Sequence, residues 1–252
     1  MNQSSPRRLV ALLVAATVLS VQAEEPAPAA EAVPEWKGEG ELGYVAARGN
    51  TDTETVSSKL KMTYATGNWS HELGLATLQS TSEDPDTGEE EETADRFQFT
   101  GQSNYAFSAR SYAFGAVRYE EDEYSGYDHQ TTVAAGYGYH ILTEDTHKLS
   151  AEIGAGQRRS ELVDTGEKET ETIARLRVTH GWQFTESSKW TNDLLVEAGD
   201  ENTFSEFVTG LKVDINSAFA VKIAHAIRQN SEVPPDREKT DTLTTVNLVF
   251  GF

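Results

Sequence analysis

Between Trp36 and Phe252 apolar and polar side chains alternate with a period of two, through twelve successive segments broken by turn residues. The segments run 36–47, 55–66, 69–80, 94–107, 111–121, 129–141, 148–160, 170–184, 189–199, 204–215, 218–229 and 240–252. No sustained helical stripe competes with them, so the chain reads as all-β. In the sixth segment Thr131, Val133, Ala135, Tyr137, Tyr139 and Ile141 share one parity, while Thr132, Ala134, Gly136, Gly138 and His140 share the other. The eighth sets Ala174, Leu176, Val178, Trp182 and Phe184 against Arg175, Arg177 and Thr179. The fourth opposes Phe97, Phe99, Tyr105 and Phe107 to Arg96, Gln98, Thr100, Gln102 and Asn104. The fifth departs from the rule, because Tyr112 and Phe114 share parity with Arg118 and Glu120.

The connectors alternate too. Arg48–Glu54, Thr81–Thr93, Asp122–Asp128, Glu161–Glu169 and Asn230–Lys239 are long and polar. Gly67-Asn68, Ser108–Arg110, Leu142–His147, Thr185–Ser188 and Asn216-Ser217 are short, as is Asp200–Thr203, which breaks the pattern. Tight periplasmic turns and longer extracellular loops produce this asymmetry in outer-membrane barrels. The expected fold is therefore a twelve-stranded antiparallel transmembrane β-barrel with both termini periplasmic. Trp36, Trp69, Trp182, Phe184, Trp190 and Phe219 lie beside the short turns, where amphipathic rings anchor at headgroup level. A soluble ligand-binding barrel, the alternative with the same alternation, needs its apolar face inward, and twelve strands enclose more space than side chains fill.

The N-terminus fits export. Arg7 and Arg8 precede the thirteen-residue run Leu9–Val21, and Val21-Gln22-Ala23 offers a cleavage site before Glu24. That run is short of the roughly 20 residues of a spanning helix. A cleaved signal peptide is expected over 1–23, a flexible Pro/Ala/Glu tether over 24–35, and the barrel over 36–252. The expected compartment is the outer membrane, with its lipid and the barrel-insertion machinery as expected partners. Leu248, Phe250 and Phe252, at two-residue steps on the last strand, are the expected assembly signal.

Composition removes several function classes. The chain has 21 basic and 41 acidic side chains, so 21 − 41 = −20, which disfavours nucleic acid. It has no cysteine for a disulfide, a thiolate zinc site or a thiol nucleophile. Phosphate-loop, HExxH, GxSxG and dinucleotide signatures are absent. None of the six histidines (His71, His129, His140, His147, His180, His225) stands at metal-ligand spacing. No cofactor, metal site or catalytic residue is expected. The enzymatic alternative is a surface hydrolase using Asp128-His129, which lacks a nucleophile motif, and adjacent strand residues point to opposite faces. Glu83, Asp84, Asp86, Glu89–Glu92, Glu120–Glu123 and Asp128 form an acidic outer rim with the hard oxygens that attract divalent cations diffusely.

The polar parity carries ordered charge: Lys37, Glu39 and Glu41, then Lys59 and Lys61, Glu72, Arg96, Glu152 and Arg158, Arg175 and Arg177, Asp193 and Glu197. Glu206, Lys212, Asp214, Lys222, Arg228 and Asp241 continue it. Adjacent strands suit cross-strand pairing. Lys59 and Lys61 are expected to face Glu39 and Glu41, and Arg175 and Arg177 to face Asp193 and Glu197. Such a network either braces a closed barrel or lines a narrow passage.

Several pieces in order carry a resemblance: Gly43-Tyr44-Val45-Ala46-Ala47-Arg48-Gly49-Asn50-Thr51-Asp52-Thr53, Asn230-Ser231-Glu232-Val233-Pro234-Pro235, Lys239-Thr240-Asp241-Thr242 and the Phe250-Gly251-Phe252 ending. Over 36–252 the chain resembles the YdiY-like family, a domain-of-unknown-function group described as salt-induced outer-membrane proteins. The resemblance implies an outer-membrane barrel linked to ionic or acid stress and supplies no catalytic residues. The expected role is envelope-structural or a narrow pore.

Overall fold

The computed structural model describes residues 35–47, 53–83, 89–122, 125–163, 165–233 and 237–252. The expected leader, the tether up to residue 34, Gly49-Asn50 and Pro234-Pro235 lie outside these residues. The strands are β1 (Glu35–Ala47), β2 (Thr53–Thr66), β3 (Trp69–Glu83), β4 (Glu90–Ala106), β5 (Ser111–Asp122) and β6 (Tyr127–Thr143). They continue as β7 (His147–Leu162), β8 (Lys168–Gln183), β9 (Ser188–Ala198), β10 (Thr203–Asp214), β11 (Phe219–Asn230) and β12 (Thr240–Gly251). Each pairs antiparallel with its chain neighbours, and β1 closes onto β12 in a barrel. The closing ladder runs only from Glu39 opposite Gly251 to Gly43 opposite Asn247, whereas β1 pairs β2 from Glu35 to Ala47.

Connectors 67–68, 107–110, 144–146, 184–187 and 215–218 gather at the end that also holds Glu35 and Phe252, here the turn end. Gly67 takes φ +55°, which the two-residue hairpin with Asn68 requires. The opposite, loop end carries the other connectors, most of them shorter than the sequence suggests: β3 continues to Glu83 and β4 starts at Glu90, inside the expected loop Thr81–Thr93. Ladder bonds need only backbone, and pairing outruns the apolar alternation used to find it.

Outside and inside are inverted relative to a water-soluble core. Ile153 is 63% exposed and Leu42 59%, whereas Arg158 is 1% exposed and Glu197 2%. A soluble barrel needs the reverse. On the outer face near the turn end, Trp36 meets Tyr64 at 4.5 Å, Trp69 meets Tyr105 at 5.0 Å and Trp182 meets Phe184 at 5.6 Å. All four tryptophans of the chain sit there.

The fifth strand resolves its own irregularity. Tyr112 and Phe114 are buried inside the barrel with Arg118 and Glu120, leaving Ala113 and Gly115 outward. The expectation that large apolar residues take the outer parity fails here because the interior makes room. A Cβ on Gly138 would lie 2.1 Å from the Tyr112 ring, and one on Gly154 3.0 Å from Phe114. These rings fill the interior.

Candidate functional site

The interior is the candidate site, and its charges fall into two tiers. In the deeper tier Arg118 reaches Glu197 at 2.6 Å and Glu120 at 3.3 Å. Arg228 binds Glu120 at 2.5 Å, Glu206 at 3.1 Å and Asp122 at 3.5 Å, and Arg96 stands 3.9 Å from Asp122. Arg175 binds Glu152 at 2.9 Å and lies 3.9 Å from Glu197. Glu152 also accepts from the Tyr112 hydroxyl at 2.9 Å and the Gln102 amide at 2.7 Å. Phe204, 2% exposed, lies under two guanidiniums, Arg118 at 4.3 Å and Arg228 at 5.1 Å. Because β5 and β11 stand six strands apart in a ring of twelve, the Glu120–Arg228 pair spans the barrel's diameter.

A cap closes over this tier. Arg158 binds Glu171 at 2.6 Å and donates to the Asn202 carbonyl, while Glu171 accepts from the backbone N–H of Glu201 at 3.0 Å. A Cβ on Gly199 would lie 2.0 Å from the Glu171 carboxylate, so glycine leaves room for Glu171 to sit against the connector 199–202. The Asn202 amide donates to Asn230 at 2.8 Å, and its oxygen accepts from Ser231 at 3.2 Å. The short connector that breaks the length pattern is this cap.

The tier nearer the turn end is built from lysines. Glu39 and Glu41 lie opposite Lys61 and Lys59 in register, as expected, yet their ion pairs run elsewhere. Lys212 takes Glu39 at 2.7 Å and Lys222 takes Glu41 at 2.7 Å, both across the interior. Lys61 turns to Glu72 at 2.7 Å, and Lys59 has no carboxylate at ion-pair distance among the described residues. Inward chains on a curved sheet converge toward the axis, so partners two or three strands away compete with the registered neighbour. On the other wall Arg175 does face Glu197 in register, while Arg177 faces Leu195 and reaches diagonally to Asp193 at 2.7 Å and to Glu72 at 4.0 Å.

At the seam, the Phe252 N–H donates to the Gly38 carbonyl at 2.9 Å and the Gly38 N–H to the Phe252 carbonyl at 2.7 Å. A Cβ on Gly38 would meet the Phe252 ring at 2.2 Å. Phe250 stacks between Phe219 at 5.4 Å and Phe252 at 5.9 Å, and Leu248 is outward beside them.

A family of proteins of unknown function, DUF481, matches residues 40–252. The chain belongs to it. Within the similarity, the uncharacterized protein YdiY of Escherichia coli K12 is 28% identical over 217 residues, covering 86% of this chain and 83% of that protein. An outer membrane channel from Pseudomonas putida F1 has the same fold at a TM-score of 0.50 and 9% identity, covering 91% of this chain and all of the other. The translocator domain of the autotransporter NalP from Neisseria meningitidis overlays at a TM-score of 0.45 and 9% identity, covering 87% and 88% of the two chains. The family resemblance carried by the Gly-Asn-Thr opening and the Phe-Gly-Phe ending is thus borne out.

Two sequence readings are corrected by geometry. Glu120 and Asp122 leave the expected acidic rim and point inward, because their parity is that of Arg118. Asp128 and His129 touch, Oδ2 to Nδ1 at 3.2 Å, since a register shift between Tyr127 and His129 redirects them. His129 Nε2 meets Glu161 at 3.4 Å, and no serine hydroxyl contacts His129 among the described residues. Sequence reasoning missed Phe204 and Glu171 as interior residues. Phe204 shares parity with Glu206, and Glu171 with Arg175, so the signal was present.

Proposed function

We propose that this chain is an outer-membrane barrel whose interior is braced nearly shut, serving the envelope structurally. The observation that supports this most is the diametric Glu120–Arg228 bridge, linked through Arg118 to Glu197 and Arg175. Buried guanidinium–carboxylate contacts with several partners leave little free cross-section. The apolar outer face and its tryptophans suit lipid contact, and in this reading the end with the short turns faces the periplasm and the segment between β3 and β4 faces outside the cell, as in outer-membrane barrels generally. Cleavage after Ala23 and recognition of Leu248, Phe250 and Phe252 by the insertion machinery belong to the same proposal. Glu83 and Glu89–Glu92 retain the diffuse attraction for divalent cations. A link to ionic or acid stress belongs to the same proposal, through the partly exposed Lys212–Glu39 and Lys61–Glu72 pairs, which salt screens more than the buried arginine bridges.

The second reading, a narrow pore, is favoured by the less buried lysine tier. Bilayer recordings on the refolded chain separate the two. The closed barrel gives no steady conductance, and the double variant Glu120→Ala with Arg228→Ala gives ion leakage. Steady conductance in the unaltered chain, shifted in selectivity but not opened by that variant, establishes the pore. An epitope placed after Gly88 should be labelled on intact cells; labelling only after the outer membrane is opened inverts the topology.

A further inference from the structure

Three interior lysines stand side by side on consecutive strands. Lys212 of β10 lies directly opposite Lys189 of β9 on one side and Lys222 of β11 on the other. Directly opposed like charges destabilise a sheet, with Cβ atoms about 4.5–5.5 Å apart. Lys37 and Lys148 share the inward parity, and all five lie within four residues of the turn end. Only two carboxylates answer the row, both from β1: Glu39 on Lys212 and Glu41 on Lys222. Among the described residues Lys189 and Lys148 have no carboxylate at ion-pair distance, although Lys189 feels the charges of Lys212, Glu39, Lys148 and Lys61. Asp214 and Glu35 sit on the same rim, Glu35 already holding Lys37 at 2.9 Å. The same end also carries Glu144, Asp145 and Glu186 on its connectors, so the cations are a row on the inward face and not a reversal of charge over the whole rim.

We propose that the turn-end mouth of the barrel is a binding site for compact oxyanions of the phosphate class, free or carried on a small solute, held by Lys189, Lys212 and Lys222. Ammonium groups on neighbouring strands are spaced so that one tetrahedral anion accepts from two of them, and its charge removes the repulsion within the row. Carboxylates on β1 hold Lys212, the middle member, and Lys222 in place, and Lys189, at the β9 end of the row, is the member left to the ligand. The side chains point to the barrel interior, so the phosphate of a surrounding lipid is not the source of the anion. The inference stands apart from the proposed function: a mouth that binds anions does so whether or not the deeper tier conducts.

The test uses the full chain refolded in a neutral, lipid-free detergent, with inorganic phosphate as the probe. Melting is followed in phosphate and in choline chloride at matched ionic strength, for the unaltered chain and for Lys189→Gln. The expected result is a melting temperature raised by phosphate beyond chloride, because a ligand that binds only the folded state stabilises it. Lys189→Gln should melt higher than the unaltered chain in phosphate-free buffer, since it relieves the like-charge row, and should lose most of the phosphate response. Isothermal titration should show at least about a tenfold weaker phosphate affinity in that variant, the equivalent of one lost charged contact. Equal stabilisation by phosphate and chloride overturns the site. A phosphate response that survives unchanged in Lys189→Gln overturns it as well, and adding phosphatidylglycerol to the micelles should not mimic free phosphate.

Discussion

The two halves of the interior use different cations for different ends. The tier toward the loop end is made of arginines, with Arg118, Arg158, Arg175 and Arg228 each less than a tenth exposed and each on more than one acceptor or ring. The tier toward the turn end is mostly lysines, with Arg177 reaching it through Glu72; in it Lys212 and Lys222 each hold one carboxylate and Lys189 holds none. A planar guanidinium keeps its charge and presents five donors in a fixed fork, so it can tie strands that are not neighbours. An ammonium is a compact, strongly hydrated point charge, suited to a mouth that stays wet. Most of the contacts between distant strands in the deeper tier are made by forks, and most of those at the turn end by points. The difference teaches that charge count alone does not report what a barrel interior does.

The sharpest way to break this comparison is to remove one cation from each tier. Arg228→Ala leaves Glu120, Glu206 and Asp122 without their common partner in a buried setting, and should cost about 3–5 kcal/mol of stability. It should be visible as loss of heat-modifiable gel migration at temperatures the unaltered barrel resists. Next in size is Arg118→Lys, which keeps the charge but cannot hold Glu197 and Glu120 together. A loss of about 1.5–3 kcal/mol in chemical unfolding is expected from a surrendered charged hydrogen bond. Gly138→Ala sharpens the packing side of the same tier. Its new methyl would stand 2.1 Å from the Tyr112 ring, so a loss of about 1–3 kcal/mol is expected unless that ring shifts. The smallest effect belongs to Lys212→Ala, because the Lys212–Glu39 pair is partly exposed: under about 1 kcal/mol by thermal melting. If Lys212→Ala costs as much as Arg228→Ala, the two tiers are one brace and the distinction between forks and points is wrong.

Strand number, order and facing were legible because alternation is a local property. The β2 segment was expected from 55 and runs from Thr53, and β12 starts at Thr240 as read. Strand ends toward the loops were misjudged wherever polar residues such as Ser82 and Glu91 remain in the ladder, since backbone bonds do not register side-chain polarity. Within the interior, cross-strand neighbours such as Arg175 and Glu197 were legible from parity and hairpin register alone. The pairs that define the tiers, Arg118 with Glu197 or Lys212 with Glu39, join strands that are not neighbours. Those depend on how far each strand is displaced along its partner as the sheet closes, a global quantity that no short window carries. Tyr112 and Phe114 show the complementary failure: their inward placement depends on Gly138 and Gly154, each on another strand.

The brief ladder between β1 and β12 joins residues such as Gly43 and Asn247 from opposite ends of the barrel sequence. However far the other strands have paired, the free edge of β1 stays uncovered until β12, the twelve residues Thr240–Gly251, is in place. Until then an unpaired row of N–H and C=O groups is open to any other strand, including one from a second unfinished molecule. A product stopped before Thr240 would leave two such edges, on β1 and on β11, and no way to satisfy either internally. The ring therefore ties protection of both sheet edges to the docking of the final strand, which makes the Phe252 end a matter of timing as much as of shape.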